Sequence, residues 1–521
     1  MSKKYFLFFI ISFLISSSVQ ARLLDQDWDR HGDFDRLVSC GVVAKPFYGS
    51  QPWSEKIIKK ALQNIKNNQG TMSCSQADVT EILNRFNKDI YANDQKTLIK
   101  PVEKISVFYD YVTGGNSQYT DNRRGLIDAR VNTFSENTTQ LVGGAGQNFS
   151  FRSNHYFSWY GQDVFLQPRF GFVSNEALLT MQQAYAHFNF FKTSLVVGRS
   201  PVLWGQGASG GFLFTTNARP LDVIQLSNAE GFRLPWLLKH LGKWKFSFLF
   251  GTLGPEQRYP WTLFSGLNIG YKPADFVEFN LSHIIHFGGE GAPDLSFSNG
   301  VQEFFGFIPF LSQTTINSAN KLTALNMRFF IDRFMGFQGY IDYAMDDSTL
   351  TGGLKAWKKH FTVNSSYLLG LYFTRPFGSL SDQMRFEFTR IGHITYRHSL
   401  FHDGWTINDY IIGHAAGPDS YRVRASWTHD WVDKNRQTQL VMQWTKRDNN
   451  NYDVSDDGLE DIVLADKPSE HRYTVNLVQS LTRRNITGQF MLGYEFIHDY
   501  QFQNGDKAHA AHMGLELGYL F

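Results

Sequence analysis

The amino-acid sequence predicts a mainly β protein, a transmembrane antiparallel β-barrel with a small N-terminal α-helical domain left on the periplasmic side. Three observations predict it. The chain opens with a secretory leader, apolar residues recur at every second position over most of its length, and tight turns alternate with long polar loops.

Lys3 and Lys4 form a short basic region, and Tyr5 to Ile15 is an almost unbroken apolar run. Ser16, Ser17 and Ser18 follow, then Val19-Gln20-Ala21, with small residues where a signal peptidase reads. This is a cleavable leader over residues 1–21, with the mature chain starting near Arg22. The run is shorter than the ~20 residues a spanning helix needs. Beyond residue 21 nothing approaches an apolar stretch of about 18 residues, so helical spans are excluded.

Composition agrees. Aromatics make up 16% of the 521 residues, Phe alone numbers 47 and Gly 44, and Pro is scarce at 15. Such usage suits strands with one apolar and one polar face. The formal net charge of +2 gives no support to nucleic-acid binding, which shows as a basic excess. Cys40 and Cys74 both precede residue 80. In an exported chain they can pair, the alternative being two free thiols. Without ligand-spaced histidines they make a poor zinc set.

Residues 22–100 read as a periplasmic helical domain. A short helix is expected from about Asp27 to Val38, stopped by Gly41. Ile57, Ile58, Ala61, Leu62 and Ile65 form an apolar stripe after Pro52-Trp53-Ser54. Ser75 and Asp78 resemble a capping box ahead of Val79, Ile82, Leu83 and Phe86. These stripes read as core packing, and no chemistry is expected there.

Residues 101–521 read as the barrel, because the period changes to two. Ile105, Val107, Tyr109 and Tyr111 alternate with Lys104, Ser106, Phe108 and Asp110. Trp244, Phe246, Phe248 and Phe250 alternate with Lys245, Ser247, Leu249 and Gly251. Val277, Phe279 and Leu281, then Met384, Phe386 and Phe388, then Tyr421, Val423, Ala425 and Trp427 repeat the pattern. The apolar sets would face lipid and the others the lumen. A soluble sandwich also alternates, but the pattern recurs over too much chain for one sandwich. Tight turns are expected at Lys272–Asp275, Arg333–Gly336 and Thr482–Asn485. Long loops are expected at Asp110–Leu126, Phe287–Asn320 and Asp448–His471. The alternation puts both barrel ends in the periplasm, so the strand number should be even. Met513, Leu515, Leu517, Tyr519 and Phe521 share one face, like an outer-membrane assembly signal. At roughly 22 to 26 residues per strand and loop, the count is about 16 to 18 strands.

No specific catalytic set appears, neither HExxH nor GxSxG nor a Walker loop, so an enzyme is not expected. The acidic stretch Asp453, Asp456, Asp457, Glu460 and Asp461 lacks EF-hand spacing and reads as a surface loop. No metal and no cofactor are expected. Three stretches combine aromatics, charges and glycines at loop or rim positions: Gly198 to Pro220, His283 to Pro293, and Arg397 to Trp405 with its continuation to Asp419. Aromatic faces stack on sugar rings, and Arg, Asp and His bond hydroxyls and uronates. The competing reading is an aromatic girdle around a packed plug.

In these stretches the chain resembles the Wzi family of capsule assembly proteins. The likeness rests on Trp204 to Gly207 with Arg219-Pro220, Gly288 to Gly291 with Pro293, and Asp403-Gly404 with Gly417. Leu37-Val38 to Val43 and the segment after Pro52-Trp53 also fit. The cysteine pair, and Trp405 where the family often has Tyr, depart from it. The resemblance implies an 18-stranded outer-membrane barrel with a periplasmic helical bundle. It implies a lectin-like monomer that holds exported capsular or extracellular polysaccharide at the cell surface. Its other partners would be outer-membrane lipid and the outer-membrane assembly machinery. Carried onto this chain, the polysaccharide contacts would be Trp204, Arg219, Glu290, Asp403 and Trp405. The alternatives are a porin-like pore for small solutes and an outer-membrane hydrolase. Arg328, Arg385, Glu387, Arg422 and Arg424 on inward faces would line a channel or pair into a plug.

Overall fold

The computed structural model describes residues 23–24, 31–54, 58, 74–89, 97–113, 117–120, 127–131, 146–159, 162–173, 176–190, 192–228, 231–293, 296, 298, 300, 319–346, 365–398, 400–431, 435–454, 460–463 and 467–521. The leader therefore lies outside the described residues. So does the 57–65 stripe, apart from Ile58.

Eighteen long strands form one closed antiparallel barrel. They are β1 (Thr97–Thr113), β2 (Gly146–Trp159), β3 (Gln162–Val173), β4 (Glu176–Phe190), β5 (Thr193–Ser200) and β6 (Leu221–Ser227). Next come β7 (Lys243–Thr252), β8 (Leu263–Ala274), β9 (Val277–Phe287), β10 (Ala319–Ile331), β11 (Phe337–Asp346) and β12 (Ser365–Phe373). The last are β13 (Asp382–Ile391), β14 (Ser420–Trp431), β15 (Arg436–Arg447), β16 (Glu470–Arg483), β17 (Ile486–His498) and β18 (Lys507–Leu520). β18 pairs with β1 and closes the ring, with Gly514 opposite Asp110. The even count satisfies the expectation, and β1 starts at Thr97, ahead of the expected boundary at residue 101.

Alternation decides which face each residue takes. Along β7, Phe246, Phe248 and Phe250 are exposed on the outer wall while Lys245, Ser247 and Leu249 are buried inside. The expected tight turns follow Ala274, Ile331 and Arg483, and the 287–319 connection is long. On either side of the acidic stretch's centre, Asn451–Val454 pairs antiparallel with Glu460–Val463.

The N-terminal segment enters the mouth of the barrel. Helix α1 (His31–Ser39) stops before Gly41, whose φ of 75° ends the helix. Arg36 bonds Asp33 at 3.0 Å and also pairs with Asp430 of β14. Asp35 accepts from the Tyr48 hydroxyl at 2.8 Å and from Tyr372 of β12 at 3.1 Å. Helix α2 (Gln76–Asp89) follows Ser75 as the capping pattern predicts, and a disulfide joins Cys40 to Cys74. Phe34, Leu37, Val38, Val79 and Ile82 share one apolar cluster with Phe330 of β10. The helices thus bury their apolar faces against each other and the barrel end.

Candidate functional site

The glycine-rich stretch after β5 turns inward and becomes a plug. Leu203-Trp204 pairs antiparallel with Ser50-Gln51 of the N-terminal segment. Trp204 N–H donates to the Phe214 carbonyl at 3.2 Å, and Gly211 N–H to the Trp204 carbonyl at 3.2 Å. A second inward loop, between β13 and β14, supplies Tyr396, Trp405 and Ile412, and Thr215 N–H reaches the Ile412 carbonyl at 3.0 Å. Side chains from both loops join Phe264, Ile284, Leu322, Tyr340 and Leu368 of the wall in one apolar core. The interior of this sector is therefore filled like a protein core.

Glycines make that packing feasible. Gly205 has φ 133°, and a Cβ there would sit 2.3 Å from the Gly211 Cα. A Cβ on Gly207 would sit 2.3 Å from the Gly210 carbonyl oxygen. The Trp-Gly-x-Gly spacing is thus a close crossing of backbones.

Inward charges of the wall hold the plug's backbone. Asp342 accepts from Gln206 N–H at 2.9 Å, and Glu387 from Ala208 N–H at 2.8 Å. Arg328 donates to the Gln206 side chain at 2.7 Å and to its carbonyl. Glu278 accepts from Gly49 N–H at 2.8 Å, Tyr48 N–H at 3.0 Å and the Gln206 amide at 3.3 Å. Arg422 donates to the Ala415 carbonyl at 3.1 Å, and Arg424 lies 3.6 Å from Glu387. Arg385 lies over the Tyr372 ring at 4.1 Å. Arg328, Glu387 and Arg422 thus take the plug role expected of them, while Arg385 and Arg424 contact residues of the wall.

The outer face is organised around the 253–262 hairpin. Arg219 donates to Asn408 at 2.7 Å and to Asp222 at 3.1 Å, and Asn408 reaches Glu256 at 3.5 Å. Asp403 accepts from the Arg258 backbone N–H, and Glu290 N–H donates to the Pro260 carbonyl at 2.8 Å. Arg219, Glu290 and Asp403 are therefore brought together on one rim, distant as they are in sequence. Glu256, Arg258, Asn408 and Asp409 are exposed beside them, with Tyr259 half-buried. Sequence reading missed Glu256, Arg258 and Tyr259; their one signal is a polar-aromatic turn between two alternating runs.

Trp204 and Trp405 take a different place. They are 1% and 0% exposed, so neither ring offers a face to solvent, and their expected role as direct contacts is corrected. Trp204 packs edge-on against Phe214 at 5.1 Å, and Trp405 lies 4.3 Å from the His286 ring. The loops that carry them fold inward, and the rings become the floor beneath the rim. Phe401 extends that floor, touching His286, His398 and Tyr259.

Burial sets the charge states here. It pushes the Asp403 carboxyl up, against the opposing pull of the Arg258 N–H and guanidinium. It pushes Arg219 down, helped by Arg199. His398 is pushed down to about 4 by burial, then by Lys321 and His402. Its neutral ring accepts from Leu400 N–H at 3.1 Å and Phe401 N–H at 3.2 Å, which protonation of Nδ1 would end. Its folded value lies below the unfolded one, so the stability it contributes is full above the unfolded value. That stability is lost as pH falls from about 6.5 toward about 4. Hydrogen exchange at the Leu400 and Phe401 amides should therefore quicken at pH 4.5, beyond the intrinsic pH dependence of exchange. Equal protection at pH 4.5 and 7.5 would contradict this.

A closed barrel with apolar strands outward and loops packed within defines a plugged outer-membrane β-barrel. The chain belongs to the family of capsule assembly protein Wzi, which its residues 122–512 match. It is 22% identical over 332 residues to an uncharacterized 55.8 kDa protein in the cps region of Klebsiella pneumoniae. That match covers 63% of this chain and 58% of the relative, so the chain spans little more than half of it. The structure of Wzi from Escherichia coli superposes with a TM-score of 0.66 at 18% identity, covering 96% of this chain and 99% of that one. OprD of Pseudomonas aeruginosa gives a TM-score of 0.45 at 9% identity, over 81% of this chain and 96% of its own.

Proposed function

We propose that this protein holds exported capsular or extracellular polysaccharide at the cell surface through the rim around the 253–262 hairpin, and so assists capsule assembly. It acts by binding, not as an enzyme. It works as a monomer, with outer-membrane lipid and the barrel-insertion machinery as its other partners. The Escherichia coli relative is a carbohydrate-binding barrel involved in group 1 capsule assembly, which supports the reading. The observation that carries it is the convergence of Arg219, Arg258, Glu256, Glu290 and Asp403 on one outer rim, over a floor fixed by the plug. Such a rim offers acceptors and donors to hydroxyls and guanidinium groups to uronates. The plug beneath keeps the donors in place, so little ordering cost falls on binding.

Cells with and without the gene would be given fluorescently labelled polysaccharide from the same strain, then washed. Only cells carrying the protein should retain label. Arg258→Ala with Glu290→Ala removes two exposed side chains and leaves their backbone bonds intact. Losing charged hydrogen bonds worth about 1.5–3 kcal/mol each, the double variant should bind the polymer at least tenfold more weakly. Equal retention by a correctly inserted double variant would remove the rim from the binding role.

A further inference from the structure

The outer wall of β13–β18 carries a second feature, which the rim does not use. At the extracellular end, Arg390, Tyr421, Lys446, His471, His498 and Lys507 stand directly opposite one another on adjacent strands and form a single row across the sheet. All lie on the outward face. One register step below, Trp444, Tyr473, Phe496 and His509 form a second row. Below that, Met442, Val475 and Tyr494 are exposed, the first two apolar and non-aromatic. The rows are about 7 Å apart, two residues of strand.

We infer that this wall is a binding site for the phosphorylated, acylated saccharide of the outer leaflet. Basic groups come first, then aromatic faces, then a mostly apolar surface. A phosphate on a sugar ring bearing acyl chains presents the same order from outside inward. A pocket of about 460 Å³ opens between the first two rows, lined by His471, Tyr473, Phe496 and His498. The cations are set against rings: Lys446 lies 5.7 Å from the Tyr421 centroid and Arg390 lies 6.0 Å from it. Two carboxylates answer the row, Asp448 at 3.0 Å from Lys446 and Asp499 at 2.8 Å from His498. The three fixed cations Arg390, Lys446 and Lys507 outnumber them. Charges on a lipid-facing wall are costly unless an anion meets them, and headgroup phosphates lie at this depth.

A general aromatic belt does not account for the row, because no such row of basic groups recurs among the described residues of β2–β4. At the same end, β2–β4 present Phe149, Phe172 and Leu179, all exposed and apolar. Arg199, near that side, is already held by both oxygens of Asp222 at 2.8 Å.

The test uses the full-length protein in detergent, with bisphosphorylated lipid A as probe and native mass spectrometry as readout. The variant Arg390→Gln, Lys446→Gln, Lys507→Gln should bind the probe about tenfold more weakly. A control with equal charge loss at the periplasmic end, Lys192→Gln, Lys239→Gln, Arg484→Gln, should bind as the native protein does. Dephosphorylated lipid A should lose the preference, and millimolar inorganic phosphate should displace none of the probe. Equal binding by the row variant, an equal loss in the control, or displacement by free phosphate would each overturn the assignment. Should the triple variant fail to insert, Lys507→Gln alone, at an exposed strand end, decides by the same comparison.

Discussion

Replacing Glu278 with Ala is expected to release the N-terminal segment from the barrel mouth and to cost about 3–5 kcal/mol. The Glu278 carboxylate is fully buried and lies 3.2 Å from Lys272 Nζ, itself 2% exposed. It also accepts from Tyr48 N–H, Gly49 N–H, the Gln206 amide and Asn280. Removing it leaves the buried Lys272 ammonium without its counter-charge and strands two backbone donors, and the penalty for such buried groups exceeds the net worth of the bonds themselves. Lys272 and Lys245 hold the same segment from neighbouring strands, donating to the carbonyls of Lys45, Pro46 and Ser50. The clasp therefore spans β7, β8 and β9. Glu278→Gln keeps the shape and one acceptor, and should lie between the native protein and the alanine variant. Urea unfolding in detergent gives the stability, and chymotryptic cleavage after Phe47, which is 6% exposed in the closed state, gives the release. An alanine variant as stable and as resistant at Phe47 as the native protein would show that the clasp does not hold the segment.

What sequence made legible here was whatever a local period encodes. Phe246, Phe248 and Phe250 face outward because successive residues of a strand face opposite ways, and that depends on nothing far away. The turns after Ala274, Ile331 and Arg483 were legible for the same reason, and so was the inward aim of Arg328 and Glu387. Their partners were not. Glu278 meets Gly49 across 229 residues, and Asp342 meets Gln206 across 136. No pattern within a strand announces such a meeting. The sites divide in the same way. Composition marked Trp204 and Trp405 as unusual, but a glycine-rich loop reads as surface, and only the fold shows these two loops turning in. Arg219, Glu290 and Asp403 were found separately. Their common rim exists because the 253–262 hairpin bonds to each neighbourhood in turn.

The plug's dependence on glycine gives the other large expected effect. Gly205→Val should open a conducting path without unfolding the barrel. Valine at φ 133° is strained whatever the space, and its Cβ would meet the Gly211 Cα and N at 2.3 Å. Those are backbone atoms of the facing hairpin arm and cannot step aside as a flexible side chain does. The strain is about 1–3 kcal/mol for the backbone and a similar amount for the overlap. A total of about 3 kcal/mol shifts a closed-to-open ratio by about two powers of ten. The barrel wall would survive the plug's departure because the ladders of β1–β18 close on one another and never run through residues 201–220. With it would go the bonds from Gly205 N–H to Gly49 and from Gln206 to Asp342, which loosens the N-terminal segment as well. In a planar bilayer the native protein should stay near baseline and the variant should show discrete conductance steps. Gly488→Ala, where the nearest atom to a new Cβ is 3.8 Å away, should behave as the native protein does. Native-level silence in a correctly inserted Gly205→Val protein would mean that the plug tolerates a side chain at the crossing. The tight approach of Gly205 to Gly211 would then not be what keeps the lumen shut.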